Sequence, residues 1–280
     1  MKHRRLMLLP LLAVLIAACS SSGATATPAT QAPASVAPSS GGAGANLTIL
    51  AASSLKGVLD KAKTAYEAAN PGSTLTISTG SSSALETQIE QGAPADVFLS
   101  ADSANPKKLV DKGLNNGDPV TFAGNKLTVI VPTDNKAGVQ SPADLAKPGI
   151  KVIAAGDDVP ITKYATQLVA NLAKETGYPA DFAAKYTANI ASKEEDVKSV
   201  VGKIELGEGD AAIVYVTDAK ASDKVTPIDV PDDANVPATY QGLVVKDSQQ
   251  ADAAKAFLTW FAGPDGQAIL QQAGFLPPAS

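Results

Sequence analysis

From Asn46 onward the chain alternates between short apolar runs and segments of helical spacing, and this alternation most limits its fold. The runs NLTILA, TLTIST, ADVFLS, KLTVIVP, GIKVIAA, AAIVYV and ATYQGLVV are typical of buried strands. After the first run, Leu55, Val58, Leu59 and Ala62 recur at helical spacing. A chain of this kind forms an α/β fold, with parallel sheets flanked by helices. The length after residue 45 allows one domain or two lobes.

Further helices are predicted in the second half of the chain. The patterns indicate helices over 160–176, 193–206, 249–262 and 264–272. Pro160 takes the first position of its helix, where its missing N–H costs nothing. Trp260 and Phe261 fall in an amphipathic segment and are predicted to be packing residues.

The first 45 residues do not have globular composition. Residues 1–18 have a basic start and an apolar core, as in a secretory signal peptide. Their end, Ile-Ala-Ala before Cys19, resembles the bacterial lipobox, in which the chain is cut before a cysteine that receives lipid. A plain signal peptide with an incidental cysteine is the alternative. Residues 20–45 have no charge and no aromatic residue, so 19–45 is predicted to be a lipidated Cys and a disordered tether.

The residue types that follow the leader exclude several function classes. The only histidine and arginines are His3, Arg4 and Arg5, and Cys19 is the only cysteine. The mature chain therefore has no Ser-His-Asp triad, no disulfide and no zinc site of Cys and His. A carboxylate metal site and a Ser-Lys nucleophile stay open. We interpret the dispersed acidic residues as caps and turn formers rather than metal ligands; they are Asp96, Asp102, Asp157 and Asp158.

The charge of the mature chain argues against nucleic acid as a partner. Removing Lys2, Arg4 and Arg5 from the 23 basic residues leaves 20 against 28 acidic ones, a net charge of −8. Such a chain is repelled by phosphate backbones and anionic lipid surfaces. It also contains no guanidinium with which to bind an anion.

Serine-rich junctions follow the first two strands. Ser54 lies between the first strand and its helix, and Ser82 is the middle residue of a triplet after the second. Helix N-termini attract anions, and the ligand cleft of an open α/β sheet lies beyond the carboxyl ends of its strands. Capping is the alternative, because Ser83-x-x-Glu86 and Ser192-x-x-Glu195 both fit a capping box. These residues by themselves indicate an extracytoplasmic α/β protein with a candidate site for a small anion.

Longer motifs resemble one family. The chain is similar to the periplasmic molybdate-binding proteins of bacterial ABC importers over roughly residues 47–275. The segments that carry the resemblance are LTILAASSLKGVLD, STGSSSALETQIEQGAPADVFLSAD, AAGDDVPITKYA, SKEEDVKSVV, GEGDAAIVYVTDA and GPDGQAILQQAGF. The second segment is the most specific, because neither capping nor periodicity requires its GAPAD run.

The resemblance implies a two-lobed type II periplasmic-binding-protein fold, with mostly parallel sheets flanked by helices and a ligand cleft between the lobes. It implies a first lobe of 46–124 plus 238–280, a second lobe of 125–237, and hinges near 123–127 and 225–239. It implies a tetrahedral oxyanion bound by neutral donors. The residues matching the family's site are Ser54, Ser82, Ile161, Val197 and Tyr215.

The function that the resemblance implies is transport rather than catalysis. The protein is expected to capture molybdate and tungstate for a membrane permease and ATPase, as a monomer at the outer face of the membrane, without a cofactor. A receptor for sulfate or another small anion is the first alternative. A hydrolase using Ser82 and a lysine base is the second.

Two positions depart from the family's pattern. Ile161-Thr162 stands where the family commonly has Ala-Gly. If Ser192 capped a helix that began near Lys193, the Val197 amide would be used inside that helix and could not reach a ligand.

The predicted lipidation of Cys19 can be tested in cells that express the protein. Replacing the lipid acceptor, Cys19→Ser, should release the protein from membranes or leave it unprocessed, because the lipid and the cleavage both depend on that cysteine. Fractionation and intact mass spectrometry measure this. A native chain that is unlipidated and cut elsewhere would contradict the prediction.

Overall fold

The predicted alternation of strands and helices is present in a computed structural model, which describes residues 44–278. The predicted signal peptide, Cys19 and the tether lie outside these residues. Within them the strands are β1 (Asn46–Ala52), β2 (Thr74–Gly80), β3 (Val97–Ser100), β4 (Val120–Asn125), β5 (Leu127–Pro132), β6 (Val152–Ala155), β7 (Ile190–Glu194), β8 (Ala211–Tyr215), β9 (Val225–Ile228) and β10 (Ala238–Val244).

The helices in the same residues flank the strands. They are α1 (Lys56–Ala69), α2 (Ser82–Glu90), α3 (Ala104–Asp111), α4 (Pro160–Leu172), α5 (Phe182–Ala188), α6 (Val197–Glu205), α7 (Val216–Lys220), α8 (Ala251–Ala262) and α9 (Pro264–Ala273). Short 3-10 helices cover Ser53–Leu55 and Pro142–Ala146. No helix within residues 44–278 is long and apolar enough to cross a membrane.

The strands form two five-stranded sheets, one in each lobe. The first sheet has the order β2-β1-β3-β10-β4, and the second has the order β7-β6-β8-β5-β9. In the first sheet β1 is parallel to β2 and β3, and in the second β6 is parallel to β7 and β8. The carboxyl ends of these parallel strands are where an α/β sheet places its ligand cleft.

Both faces of the first sheet are buried. Ile49 and Leu99 belong to the large core that also contains α1 and α8 residues. Leu50 and Phe98, one position away on the same strands, pack in a separate cluster with residues of α2 and α3. Successive side chains of a strand face opposite sides, so a strand covered on both sides reads as a continuous apolar run.

In each sheet four of the five strands run in the same direction, and one runs against them. In the first sheet β10 runs antiparallel to β3 and β4, and in the second β5 runs antiparallel to β8 and β9. The reason is the connection between the lobes. A strand that arrives from the other lobe enters its sheet at the cleft edge, where the carboxyl ends of the parallel strands lie, so it must run against them. The register shows this, since Gln241 of β10 pairs with Ser100 at the end of β3.

The predicted helix over 193–206 begins later than the sequence indicated. Residues 190–194 form β7, an edge strand in which Lys193 pairs with Ala154 of β6. The helix α6 begins at Val197, and its N-cap is Asp196, whose Oδ1 accepts a hydrogen bond from the Ser199 N–H at 3.0 Å. Ser192 is therefore not a cap. The sequence did not predict β7 because this edge strand is only partly buried and has few apolar residues. Its lysine and glutamate are common in helices, so the segment was predicted to be helical.

Other short elements were not predicted from the sequence. They are strands β4 and β9 and helices α5 and α7, and neighbouring elements bury only part of each. The helix expected to reach residue 176 ends at Leu172.

Candidate functional site

The five residues matched by the sequence motifs all lie at the cleft edges of the two sheets. Ser54 is in the 3-10 turn after β1, and Ser82 is the first residue of α2, after β2. In the second lobe, Ile161 and Val197 lie in the first turns of α4 and α6. Tyr215 is the last residue of β8.

These five residues line one small cavity between the lobes. Its free volume is about 10 Å³, which is room for about one water molecule. None of the lining side chains is charged. Beyond the five predicted residues the lining consists of Ala52, Ser53, Gly80, Ser81, Ala101, Val159 and Pro160.

A larger cavity of about 130 Å³ lies in the second lobe. It is lined by Tyr186, Lys193 and Asp157, among others, and it includes only Ile161 of the five predicted residues. We place the candidate site in the smaller cavity because residues from both lobes meet there at the ends of parallel strands.

Ser82 is buried with its hydroxyl proton unused. Its Oγ accepts a hydrogen bond from the Ala101 N–H at 3.0 Å, and the side chain is 1% exposed. A backbone N–H can only donate, so the serine oxygen is the acceptor. The Ser82 O–H is therefore left to donate into the cavity.

The proposed capping role of Ser83 is wrong. The N-cap of α2 is Ser81, and no side chain accepts a hydrogen bond from the first turn. Ser83 Oγ instead lies 2.8 Å from Ser81 Oγ. Glu86, the expected partner in the capping box, is buried and faces Lys108 of α3 at 3.4 Å. Packing of α2 against α3 thus takes the glutamate away from the helix start.

Ser54 is buried against β10. Its Oγ lies 3.1 Å from the hydroxyl oxygen of Tyr240 on β10. Tyr240 is fully buried between Phe122, Tyr215 and Phe275, with its ring edge-on to theirs. This packing holds the tyrosine hydroxyl against the serine.

Ile161 and Val197 contribute backbone N–H groups. They are the second residue of α4 and the first residue of α6, and the first four N–H groups of a helix have no partner within it. The late start of α6 resolves the difficulty over the Val197 amide, since that amide precedes the helical hydrogen bonds. The Thr162 hydroxyl, where the family commonly has glycine, donates to the Ala155 carbonyl at 3.0 Å and ties the start of α4 to β6.

Tyr215 carries a buried hydroxyl without a partner. The side chain is 1% exposed, and among the described residues its Oη has no hydrogen bond. Burial raises the pKa of Tyr215 well above its usual value, so the hydroxyl keeps its proton at neutral pH. An unpaired buried donor costs about 1–3 kcal/mol, which a ligand oxygen would recover.

The cavity therefore offers hydrogen-bond donors from both lobes. The lining includes five hydroxyl side chains, three of them at the predicted site residues, together with two residues at helix N-termini, and it includes no carboxylate or ammonium. Within residues 44–278 no group of three His, Cys, Asp or Glu side chains could hold a metal ion. Of the acidic residues considered above, Asp102 accepts from the Asn105 N–H at 3.0 Å, and Asp96 accepts from the Thr48 N–H at 2.7 Å.

A buried carboxylate that the sequence reading missed lies close behind the site. Asp218 is 1% exposed, and neither carboxylate oxygen has a well-formed hydrogen bond among the described residues. The Lys198 Nζ is 3.8 Å from its Oδ1. Burial raises the pKa of Asp218 to about 6, although the Lys198 charge and the nearby Tyr215 N–H oppose this. No spacing in the sequence marks this aspartate.

Tyr215 and Tyr240 are both buried, but among the described residues only the Tyr240 hydroxyl has a hydrogen-bond partner, so their phenylalanine variants can be compared. Tyr240→Phe should lower the free energy of unfolding of the ligand-free protein by about 1 kcal/mol, because it removes the partner of Ser54. Tyr215→Phe should not lower it, because its hydroxyl has no partner to lose. Urea denaturation measures both. Equal losses in the two variants would contradict the assignment.

The buried aspartate predicts a pH-dependent stability difference. The folded-state pKa of about 6 lies above the ordinary value of 3.8, so the charged form costs stability above pH 6 and the penalty disappears below pH 4. Asp218→Asn should raise the free energy of unfolding by about 3 kcal/mol at pH 8 and leave it almost unchanged at pH 4.

Urea denaturation at a series of pH values measures the difference. The exposed Asp247→Asn is the matched control and should show no comparable gap, because its side chain is already in water. A variant at 218 that is less stable than the wild type at pH 8 would show that the carboxylate stabilises the fold.

Comparison with known proteins supports the motif-based resemblance. Residues 47–276 match the family described as bacterial extracellular solute-binding protein. The molybdate-binding protein ModA of Mycobacterium tuberculosis is 33% identical over 234 residues, 83% of this chain and 85% of that protein. A putative ABC transporter substrate-binding lipoprotein of Bacillus subtilis, YvgL, is 32% identical over 231 residues, 82% of this chain and 85% of that protein.

A solved structure extends the likeness to the fold. The periplasmic molybdate-binding protein of Azotobacter vinelandii superposes with a TM-score of 0.71 at 25% identity. The superposition covers 83% of this chain and 100% of that protein. The α/β class and the two-lobed architecture predicted from the sequence are confirmed. The chain therefore belongs to the bacterial extracellular solute-binding protein family, together with the ModA proteins.

Proposed function

We propose that the protein captures molybdate, and tungstate with it, for an ABC importer. The anion would lie between the lobes, in a cavity that has to widen beyond its present room for about one water molecule. It would be held by the hydroxyls of Ser54, Ser82 and Tyr215 and by the N–H groups of Ile161 and Val197. The observation that carries this proposal is the neutral lining, in which hydroxyl side chains and helix N-termini of both lobes meet and no side chain carries a charge. The names of the relatives support the choice of molybdate.

The chemistry of the ligand fits such a lining. Molybdate and tungstate carry no proton near neutral pH, so every oxygen accepts hydrogen bonds and none donates. Hydrogen bonds to a charged acceptor contribute about 1.5–3 kcal/mol each. Several of them suffice for capture, and without a buried cation the anion can still be released to the permease.

Sulfate is the first alternative ligand, because it has the same charge, shape and lack of protons. It differs in size, and the relatives named above favour the larger anion. A serine hydrolase is disfavoured by the geometry. Ser82 Oγ accepts from a backbone N–H rather than facing a base, and no lysine lines the cavity.

The two connections between the sheets are proposed as the hinge. One is Lys126, between β4 and β5, and the other is the segment 229–237, between β9 and β10. The lobes would then be 46–124 plus 238–280 and 125–237. The protein would act as a monomer, because each chain supplies donors from both of its own lobes.

The cellular setting follows from the leader and the relatives. We propose that Cys19 carries lipid and that the tether holds the protein at the outer face of the cytoplasmic membrane. The lipoprotein name of the Bacillus subtilis relative supports this placement. The partners would be the membrane permease and the ATPase of the importer.

Calorimetric titration of the tether-free protein with molybdate, tungstate, sulfate and phosphate tests the proposed ligand. Molybdate and tungstate should bind with the highest affinity, and phosphate should bind weakly. Equal affinity for sulfate and molybdate would move the assignment to the sulfate alternative. No binding of any of the four would overturn the proposal.

The serine triplet provides a matched pair of variants. Ser82→Ala removes a donor to the anion, so the affinity for molybdate should fall by about ten- to a hundred-fold, or about 1.5–3 kcal/mol. Ser83→Ala removes only a contact with Ser81, so the affinity should change little. Ser54→Ala should resemble Ser82→Ala. If Ser83→Ala weakened binding as much as Ser82→Ala, the site would not be where we place it.

A further inference from the structure

A buried amide at the connection between the lobes has a fixed orientation. Asn125 is the last residue of β4 and is 1% exposed. Its Oδ1 accepts the N–H of Lys126 at 2.9 Å. Because a backbone N–H can only donate, this contact identifies the oxygen end of the amide. The other end is then an NH2 group, which can only donate.

The donating end of Asn125 faces two hydroxyl oxygens. Its Nδ2 lies 2.8 Å from Thr217 Oγ1 on α7 of the second lobe, and 3.5 Å from the hydroxyl oxygen of Tyr240. The first contact is short and positions the amide, whereas the second is long. In this orientation the Asn125 side chain presents an N–H group, and not an acceptor, to the Tyr240 hydroxyl.

The direction of the next hydrogen bond follows from this arrangement. Tyr240 cannot donate to the NH2 group of Asn125, so its proton goes to Ser54 Oγ, 3.1 Å away. The reverse direction would leave the tyrosine proton without an acceptor among the described residues, at a cost of about tenfold or more in population. Ser54 therefore accepts from Tyr240, and its own O–H is left to donate into the cavity.

We propose that Asn125 and Tyr240 determine the specificity of the anion site, by orienting Ser54 as a donor so that the site discriminates against oxyanions that carry a proton. The inference rests on the function proposed above. Ser82 is oriented in the same sense by the Ala101 N–H. Hydrogen phosphate carries a proton that needs an acceptor, and the bonds from Tyr240 and from the Ala101 N–H each occupy one of the two lone pairs on Ser54 and Ser82. Asn125 and Tyr240 are positioning residues, because they act through Ser54.

Two variants change this orientation in different ways. Tyr240→Phe keeps the packed ring and removes the donor to Ser54, so the serine hydroxyl becomes free to accept. Asn125→Asp keeps the shape and the contact with the Lys126 N–H but presents an acceptor to Tyr240. The tyrosine proton then turns toward the carboxylate, and Ser54 loses its donor. Tyr164→Phe is the matched control, since the Tyr164 ring also packs against Tyr215 but its hydroxyl accepts from the Thr239 N–H at 3.2 Å.

The readout is the ratio of dissociation constants for hydrogen phosphate and molybdate, measured by competition titration at pH 8. We expect this ratio to fall about tenfold or more in Tyr240→Phe and Asn125→Asp, and to stay unchanged in Tyr164→Phe. The ratio of sulfate to molybdate should stay within about twofold in all variants, because neither of these anions carries a proton. Thermal melting of each variant establishes that it is folded.

The outcomes separate this inference from the function on which it rests. If the wild type binds none of the oxyanions, the proposed function fails and this inference fails with it. If the wild type binds molybdate but the phosphate ratio stays constant in the folded variants, the inference alone is overturned. Equal changes in the sulfate and phosphate ratios would also overturn it, since they would show general damage to the cavity.

Discussion

The main constraint on the site is that hydrogen-bond donors are buried between the lobes without a full set of acceptors among the described residues. The Tyr215 hydroxyl has no partner among the described residues, and the oxygen of Ser82 is already occupied by the Ala101 N–H. The first N–H groups of α4 and α6 are added from the second lobe. Unpaired buried donors cost free energy, and an anion that contacts both lobes recovers it. Under the proposed function, binding of the anion would therefore favour the arrangement in which the two lobes are close together.

The backbone topology brings these donors together. Parallel strands in each lobe end at the cleft, and the helices that follow begin there, so each lobe presents helix N-termini to the other. The strands that cross between the lobes enter at the same edge and run antiparallel, which places Tyr240 beside Ser54. The proposed hinge and the proposed ligand site consequently share hydrogen bonds, which run from Asn125 and Thr217 through Tyr240 to Ser54.

Charged side chains are kept out of the cavity but not far from it. Asp218 and Lys198 form a loose pair behind the site, with the carboxylate fully buried and the ammonium partly in water. This pair leaves the lining neutral. Under the proposed function, a neutral lining suits a receptor that must release its anion, because no buried cation attracts the departing dianion.

The sequence by itself determined the α/β class and the positions where strands pass into helices, because apolar periodicity and turn residues are local signals. The motifs also identified the five residues that meet in the cavity. Only the tertiary structure decided the antiparallel crossing strands, the edge strand β7 that delays α6 to Val197, and the turn of Glu86 toward Lys108. It alone revealed Asp218, Asn125 and Tyr240 around the site. These features depend on contacts between residues far apart in the chain, and such contacts leave no periodicity or spacing for a sequence to show.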